Sequence, residues 1–400
     1  VHRTPHEAPA GYQAALSVAN PIIDAAKAVD FDADGATDIR GCVRKGAREG
    51  PMQALRFAVP FLFLASAPVG FALGGGWAWL TPMLTPLALA GFDWALGVES
   101  GEASRAGWLR YRALPWLYIA AQIGVIAWAA FAISNPRVDL LAAVGLTVSV
   151  GTTAGIFGIV AAHEMVHSPR GAERGLALGL FACLGYMHFR IAHLHGHHVR
   201  GATFEDPASA RLGESVYHFL VRSIVGQVGD AWTFEAKRLR RRGRPVLGLH
   251  NRLIVYVAIE LVILAGVALL GWRALGFWIG EAAVAILLLE LFNYIAHYGL
   301  QRRRDARGIY ERMAAQHSWN SRRRMNNWAL FNMGRHSDHH RRPSQAYQRL
   351  VALPSAPLLP GGYAEAILLS LVPPLWRRVM DPRVEYWSGA GDTAPLREAA

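Results

Sequence analysis

Three stretches of this 400-residue chain, 57–92, 113–136 and 140–162, contain no charged residue, and two more, 253–271 and 274–298, carry only Glu260, Glu281 and Glu290. A segment that crosses a bilayer must satisfy its backbone polar groups internally and needs about 20 apolar residues to do so as a helix. The first stretch is long enough for two such helices if the chain turns at Gly74, Gly75 and Gly76. The expected fold is therefore an all-α integral membrane protein with six transmembrane helices. Composition agrees, since 18% of residues are charged against roughly a quarter in soluble domains.

The uncharged stretch from Gly175 to Phe189 is too short to span and reads as a re-entrant or interfacial helix. Arginines cluster before Arg56, from Arg105 to Arg112, from Arg170 to Arg252 and after Gln301. The positive-inside rule puts those segments in the cytoplasm, with short outer connections at Gly74–Gly76, Asn135–Asp139 and Trp272. This reading gives three hairpins, both termini inside, in a bacterial-type inner (plasma) membrane.

The net charge of +12 then follows from topology and contact with anionic lipid, and argues for membrane lipid rather than nucleic acid as partner. Two cysteines, Cys42 and Cys183, make neither a disulfide framework nor a thiolate metal site. Residues 1–51, acidic and rich in alanine and glycine, read as a weakly ordered cytoplasmic extension, followed by one membrane domain over 52–385 and a tail over 386–400.

Histidine carries the chemistry. Of 16, two lie in the extension and fourteen fall between residues 163 and 340. HEMVH sets His163 and His167 four apart, on one helical face. HLHGHH offers His193, His197 and His198 at i, i+4 and i+5, so that an α-helix would pair the first two and turn the third toward a neighbouring metal. His297 stands at the end of the last apolar stretch, and RHSDHH offers His336, His339 and His340. Any one of these would ordinarily be a buried, hydrogen-bonded ring. Nine in helical register suit two metal ions.

His188, His195, His218 and His250 read as structural or surface residues, and His317 as an outer neighbour of the site. Glu164 and Asp338 lie inside the motifs, and Glu290 lies seven residues before His297 on the same face, so all three are candidate acidic partners of the ligands. Glu205 and Asp206 read as alternatives between such a role and a helix cap.

HEMVHS, AHLHGHH, EDPASARLGESVY, NYIAHYGL, HSWNS and GRHSDHH, in this order and spacing, resemble the membrane-bound alkane 1-monooxygenases of the fatty acid desaturase and hydroxylase superfamily. The resemblance runs from about the second span to MDPRV (380–384). It implies a cytoplasmic, histidine-rich, non-haem centre of two Fe ions held by His163, His167, His193, His197, His198, His297, His336, His339 and His340. It also implies O2-dependent hydroxylation of the terminal carbon of medium or long alkanes to 1-alkanols. The electron donor would be a separate rubredoxin or ferredoxin-type protein with its NAD(P)H reductase, because two cysteines cannot build a rubredoxin site.

This sequence departs from the family where glutamates usually precede the histidines of the second and NYxEHYGL motifs. Ala192 and Ala296 stand there, and Met333 and Gly334 replace the usual leucine and glutamine before RHSDHH. The departures leave room for a hydroxylase of alkyl aromatics like the xylene monooxygenases, or for a fatty acyl desaturase or hydroxylase. Thr85, Leu89 and Phe92 are expected to border the substrate channel. Two other classes compete: a zinc membrane protease using His163, His167 and Glu164, and a metal transporter.

Overall fold

The computed structural model describes residues 52–99 and 108–389. The expected 1–51 extension and the tail beyond residue 389 lie outside the described residues, while residues 386–389 complete the last helix. Among the described residues the chain is helical, with β structure confined to isolated bridges.

The principal helices are α1 (Val59–Leu73), α2 (Leu80–Leu96), α3 (Trp108–Ser134), α4 (Leu140–Thr153), α5 (Ile159–Val166), α6 (Gly171–Cys183), α7 (Phe189–Ala192), α8 (His198–Arg200), α9 (Val216–Arg240), α10 (Arg252–Ala268), α11 (Trp272–His297), α12 (Arg324–Ala329), α13 (His336–Arg341), α14 (Tyr363–Ser370) and α15 (Pro373–Gly389). Among the described residues four segments are long and apolar enough to cross a membrane: Gln53–Leu73, Leu109–Ser134, Leu140–Val166 and Trp272–His297. Helices α2 and α10 have 17 residues each, about 25 Å at the α-helical rise. Outward faces carry bare leucine, phenylalanine and valine, such as Leu62, Phe131 and Val262, a surface that lipid rather than water would solvate.

Turns fall where local chemistry demands them. Gly74 and Gly75 take φ of 78° and 54°, a region that costs a Cβ-bearing residue energy. Asp139 caps α4 by accepting the Ala142 amide at 2.8 Å, and Asn251 caps α10 by accepting the Leu253 amide at 2.9 Å. The expected interfacial helix starts earlier, at Gly171, and stops at Cys183, because Gly185 breaks it at a φ of 60°.

Helices α4 and α11 form the central seam, and glycines set its spacing. A Cβ on Gly151 would lie 2.7 Å from the Glu281 carbonyl oxygen, and one on Gly155 2.8 Å from the Ala285 Cα. Between α4 and α5 the chain makes a π-helical turn, Ala154–Gly158. There the Tyr118 hydroxyl donates to the Thr153 carbonyl at 3.2 Å, satisfying backbone that the widened turn disturbs.

Buried carboxylates tie the helices that surround the site. Glu290 accepts from Ser223 (2.6 Å) and Gln227 (2.8 Å) of α9 and from Tyr186 (3.1 Å). Glu235, near the end of α9, accepts from Arg238 and from the side chain and amide of Arg252 at the start of α10. Burial opposes ionisation of Glu235, but those hydrogen bonds outweigh it and pull the carboxyl from 4.5 down to about 2. A depressed folded-state pKa stabilises above the unfolded value and is lost as pH falls through the folded one. Glu235→Gln is therefore expected to lose the wild-type rise in stability between about pH 2 and 4.5, measured by acid unfolding in detergent.

Candidate metal centre

Two nests of imidazole nitrogen form where the long helices end. His163, His167, His193, His198 and His339 make one; His197, His297, His336 and His340 make the other. Within each nest the candidate ligand atoms all lie within 4.8 Å of one another. These are the same nine histidines that the four sequence motifs offer in helical register.

Local backbone geometry explains which ring joins which nest. On α5, His163 and its C-cap His167 lie one turn apart with ring centroids 5.0 Å apart. On α13, His336 and His340 pair at i, i+4, with Nε2 atoms 3.0 Å apart, while His339 turns to the other nest. The second motif departs from the α-helical expectation. Residues His193–His197 form a π-helical turn, whose i→i+5 repeat aligns His193 with His198 rather than with His197. Their Nε2 atoms are 2.9 Å apart, and His197 projects into the second nest.

The Nε2 atoms face each other at distances that neutral imidazoles cannot satisfy among themselves. In the five-histidine nest the separations are 2.8 Å (His163–His193), 3.1 Å (His167–His193), 3.1 Å (His167–His198) and 3.3 Å (His198–His339). In the four-histidine nest His297 lies 3.2 Å from both His340 and His336. One neutral ring can donate to another, but three or four converging nitrogens leave lone pair facing lone pair. Metal–nitrogen bonds of about 2.1 Å place neighbouring ligands about 3.0–3.4 Å apart for octahedral or tetrahedral angles. The residues present therefore fit one ion in each nest.

The acidic partners differ from those expected within the motifs. Glu164 accepts the Tyr347 amide at 3.1 Å. Asp338, wholly buried, accepts from Arg342 (2.7 Å) and from the Val351 amide (3.0 Å), which braces α13. Glu290 clamps α11 to α9, as described above. None of the three carboxylates bonds a histidine of the nests, because each faces the surrounding scaffold.

The rings are held instead by Asp206 and by a backbone carbonyl. His197 Nδ1 donates to Asp206 Oδ2 at 2.9 Å, and His297 Nδ1 donates to the His317 carbonyl at 3.0 Å. The His317 ring itself turns toward Glu311 at 3.1 Å. Burial alone would raise the Asp206 carboxyl, but the His197 ring beside it and the Ser209 hydroxyl, both donating to it, hold it well below the usual range. Its sequence signal was faint: an acid nine residues past His197, adjoining a turn-forming proline. Ala192 and Ala296, where the family usually has glutamate, are both buried. His195 is exposed, His218 pairs with Glu214 at 2.8 Å, and His188 packs on Tyr186, all outside the nests.

An apolar cavity of about 380 Å³ ends on the metal nests, touching His163 and His193 of one and His197 and His336 of the other. Thr85, Leu89, Thr152 and Ile159 are among its walls. Phe92 is not: it is 53% exposed and absent from the lining, contrary to expectation. The buried stripe of α2 steps by four through Thr81, Thr85, Leu89 and Asp93. Such a row is inclined to the helix axis and slides past Phe92 by the last turn. A smaller polar pocket of about 110 Å³ reaches His167 and is lined also by Arg112, Glu164 and Glu173.

Comparison with known proteins agrees with this architecture. A sequence profile described as fatty acid desaturase matches residues 139–365. The chain is 39% identical over 325 residues to alkane 1-monooxygenase 2 of Pseudomonas aeruginosa, covering 78% of this chain and 86% of that protein. It is 43% identical over 270 residues to alkane 1-monooxygenase 1 of the same organism, covering 67% and 71%. It is also 29% identical over 354 residues to the hydroxylase component of xylene/toluene monooxygenase of Pseudomonas putida, covering 87% and 94%.

Proposed function

Since the chain belongs to the alkane 1-monooxygenases of the fatty acid desaturase family, we propose that it hydroxylates the terminal carbon of medium or long alkanes, using O2 and two Fe ions held by its nine clustered histidines. The observation that carries this reading is the meeting of two histidine nests at the end of an apolar cavity. Such a cavity accepts a substrate with no polar handle and presents its carbon–hydrogen bonds to the metals. Imidazole suits zinc and copper as well, so iron rests on family membership and the count of two on the two nests.

Bound in these nests, iron would supply the redox chemistry that activates O2. The chain's own residues do the rest. Nine imidazoles hold and orient the ions, while Asp206 and the His317 carbonyl hold His197 and His297 as Nε2 donors. Leu89, Ile159 and their neighbours exclude water and align the alkane. In this reading α2 and α10 complete six spans, and the nests lie on the cytoplasmic side of a bacterial inner membrane. There an acidic rubredoxin or ferredoxin-type donor, itself reduced by an NAD(P)H reductase, would meet the arginine-rich face. Residues 52–385 act as the hydroxylase domain.

The geometry disfavours a zinc protease, whose general base would stand beside the metal, because Glu164 is engaged by the Tyr347 amide and seven further histidines would go unused. A transporter places ligands near the bilayer midplane, whereas His163 and His297 lie at the ends of their spans.

The deciding experiment supplies iron-loaded protein with a rubredoxin, its reductase, NADH and labelled O2, then offers decane, hexadecane and p-xylene. Labelled 1-alkanol is the expected product; labelled benzylic alcohol alone would reassign the enzyme to alkyl aromatics, and no labelled product would overturn the proposal. Thr85, fully buried, tests the cavity. Thr85→Trp fills the wall with an indole and is expected to shift the product ratio toward decane, and an unchanged ratio would remove α2 from the substrate path.

A further inference from the structure

The two nests are built to different standards. All four rings of the four-histidine nest are buried, whereas His167 and His198 of the five-histidine nest are partly exposed. Two of the four rings are anchored through Nδ1, His197 by Asp206 and His297 by the His317 carbonyl. In the five-histidine nest the buried Nδ1 atoms of His163, His198 and His339 have no hydrogen-bond partner. His336 and His340 of the four-histidine nest are likewise without one, so the contrast rests on the anchored pair.

Asp206 is the decisive anchor. It is 1% exposed and is itself held by the Ser209 hydroxyl at 2.7 Å and the Ala208 amide at 3.2 Å. It brings a fixed negative charge to one ring of one nest only. A carboxylate behind a ligating imidazole fixes its tautomer, makes it a better donor and typically raises metal affinity about 10–100-fold. The polar pocket, meanwhile, opens onto His167 of the other nest, giving water and small chelators a way in. The apolar cavity that touches the four-histidine nest offers no comparable polar route.

We propose that the two metal sites are inequivalent: the four-histidine site, anchored by Asp206, retains its ion, and the five-histidine site exchanges its ion through the polar pocket at His167. This rests on the two-metal reading above. The active protein would then lose function through one labile ion while a second stays bound, and Asp206 is a positioning residue whose role is retention.

The test loads purified protein with ⁵⁷Fe(II), confirms two irons per chain, and follows iron loss to a bipyridyl-type chelator by metal analysis and Mössbauer spectroscopy. The wild type is expected to lose one iron at least about tenfold faster than the other, leaving one iron signal. His167→Ala should lack the fast-leaving iron and His336→Ala the slow one, which assigns the phases. Asp206→Asn should speed the slow phase until the two merge, and the milder Ser209→Ala should move it in the same direction. Loss of both wild-type irons in a single phase would overturn the proposal, as would an Asp206→Asn effect on the fast phase alone. A chain that never takes up two irons would instead refute the two-metal reading itself.

Discussion

His336→Ala is expected to abolish hydroxylation, lowering turnover by more than about two orders of magnitude, because loss of an outer partner of a ligand alone costs about 10–100-fold. The His336 Nε2 lies 3.2 Å from that of His297 and 3.0 Å from that of His340. Its removal leaves three nitrogens where four converge. The structure around it should survive, since α13 is braced separately by Asp338 and by Asn320, which accepts the Ser337 amide at 3.0 Å. Metal analysis should therefore show iron lost from a folded protein. His195→Ala, outside both nests, is the control expected to retain activity. Retained hydroxylation in His336→Ala would refute the four-histidine site.

Gly155→Leu should be the most damaging substitution outside the histidines. Even a methyl group there would stand 2.8 Å from both the Cα and the carbonyl oxygen of Ala285, and backbone cannot step aside as a side chain can. Overpacking of this kind costs about 1–3 kcal/mol and sometimes more. The two segments forced apart lead into His163 on one side and into His297 on the other. Thermal unfolding in lipid-containing detergent should show a lowered midpoint, with iron occupancy falling in the same variant. Gly175→Ala, where an added Cβ meets nothing within 4 Å, should be neutral or slightly stabilising by helix propensity. Equal effects at the two positions would mean that the α4–α11 seam is not close-packed.

How much of this was legible along the chain depended on whether the cause was local. Apolar stretches announce themselves because a bilayer tolerates little charge over about 20 residues. The turn at Gly74 and Gly75 and the Asp139 cap are likewise properties of a few adjacent residues. The nine clustered histidines could be chosen for a similar reason: such density has few uses besides metal, and i, i+4 pairs such as His163 and His167 need only a helix.

Partition of those histidines could not be read the same way. It turns on a π-helical turn at His193–His197, which exchanges an i+4 partner for an i+5 partner, and on His339 arriving from a segment 141 residues beyond His198. Glu164, Asp338 and Glu290 lie close to ligands along the chain or on one helix face, yet each carboxylate bonds the scaffold. Asp206 holds His197 because the loop folds back on the helix. Phe92 left the cavity wall because the contact row of α2 is inclined to its axis.

Residue type and spacing thus established the membrane-embedded helices and the stock of metal-binding nitrogen, since both follow from solvation and from short-range helical repeat. Tertiary structure alone decided which nitrogens share a nest, which carboxylate supports them and where the apolar cavity meets them. Those depend on hydrogen-bond register and on contacts between distant segments, and neither leaves a periodic trace in the order of the residues.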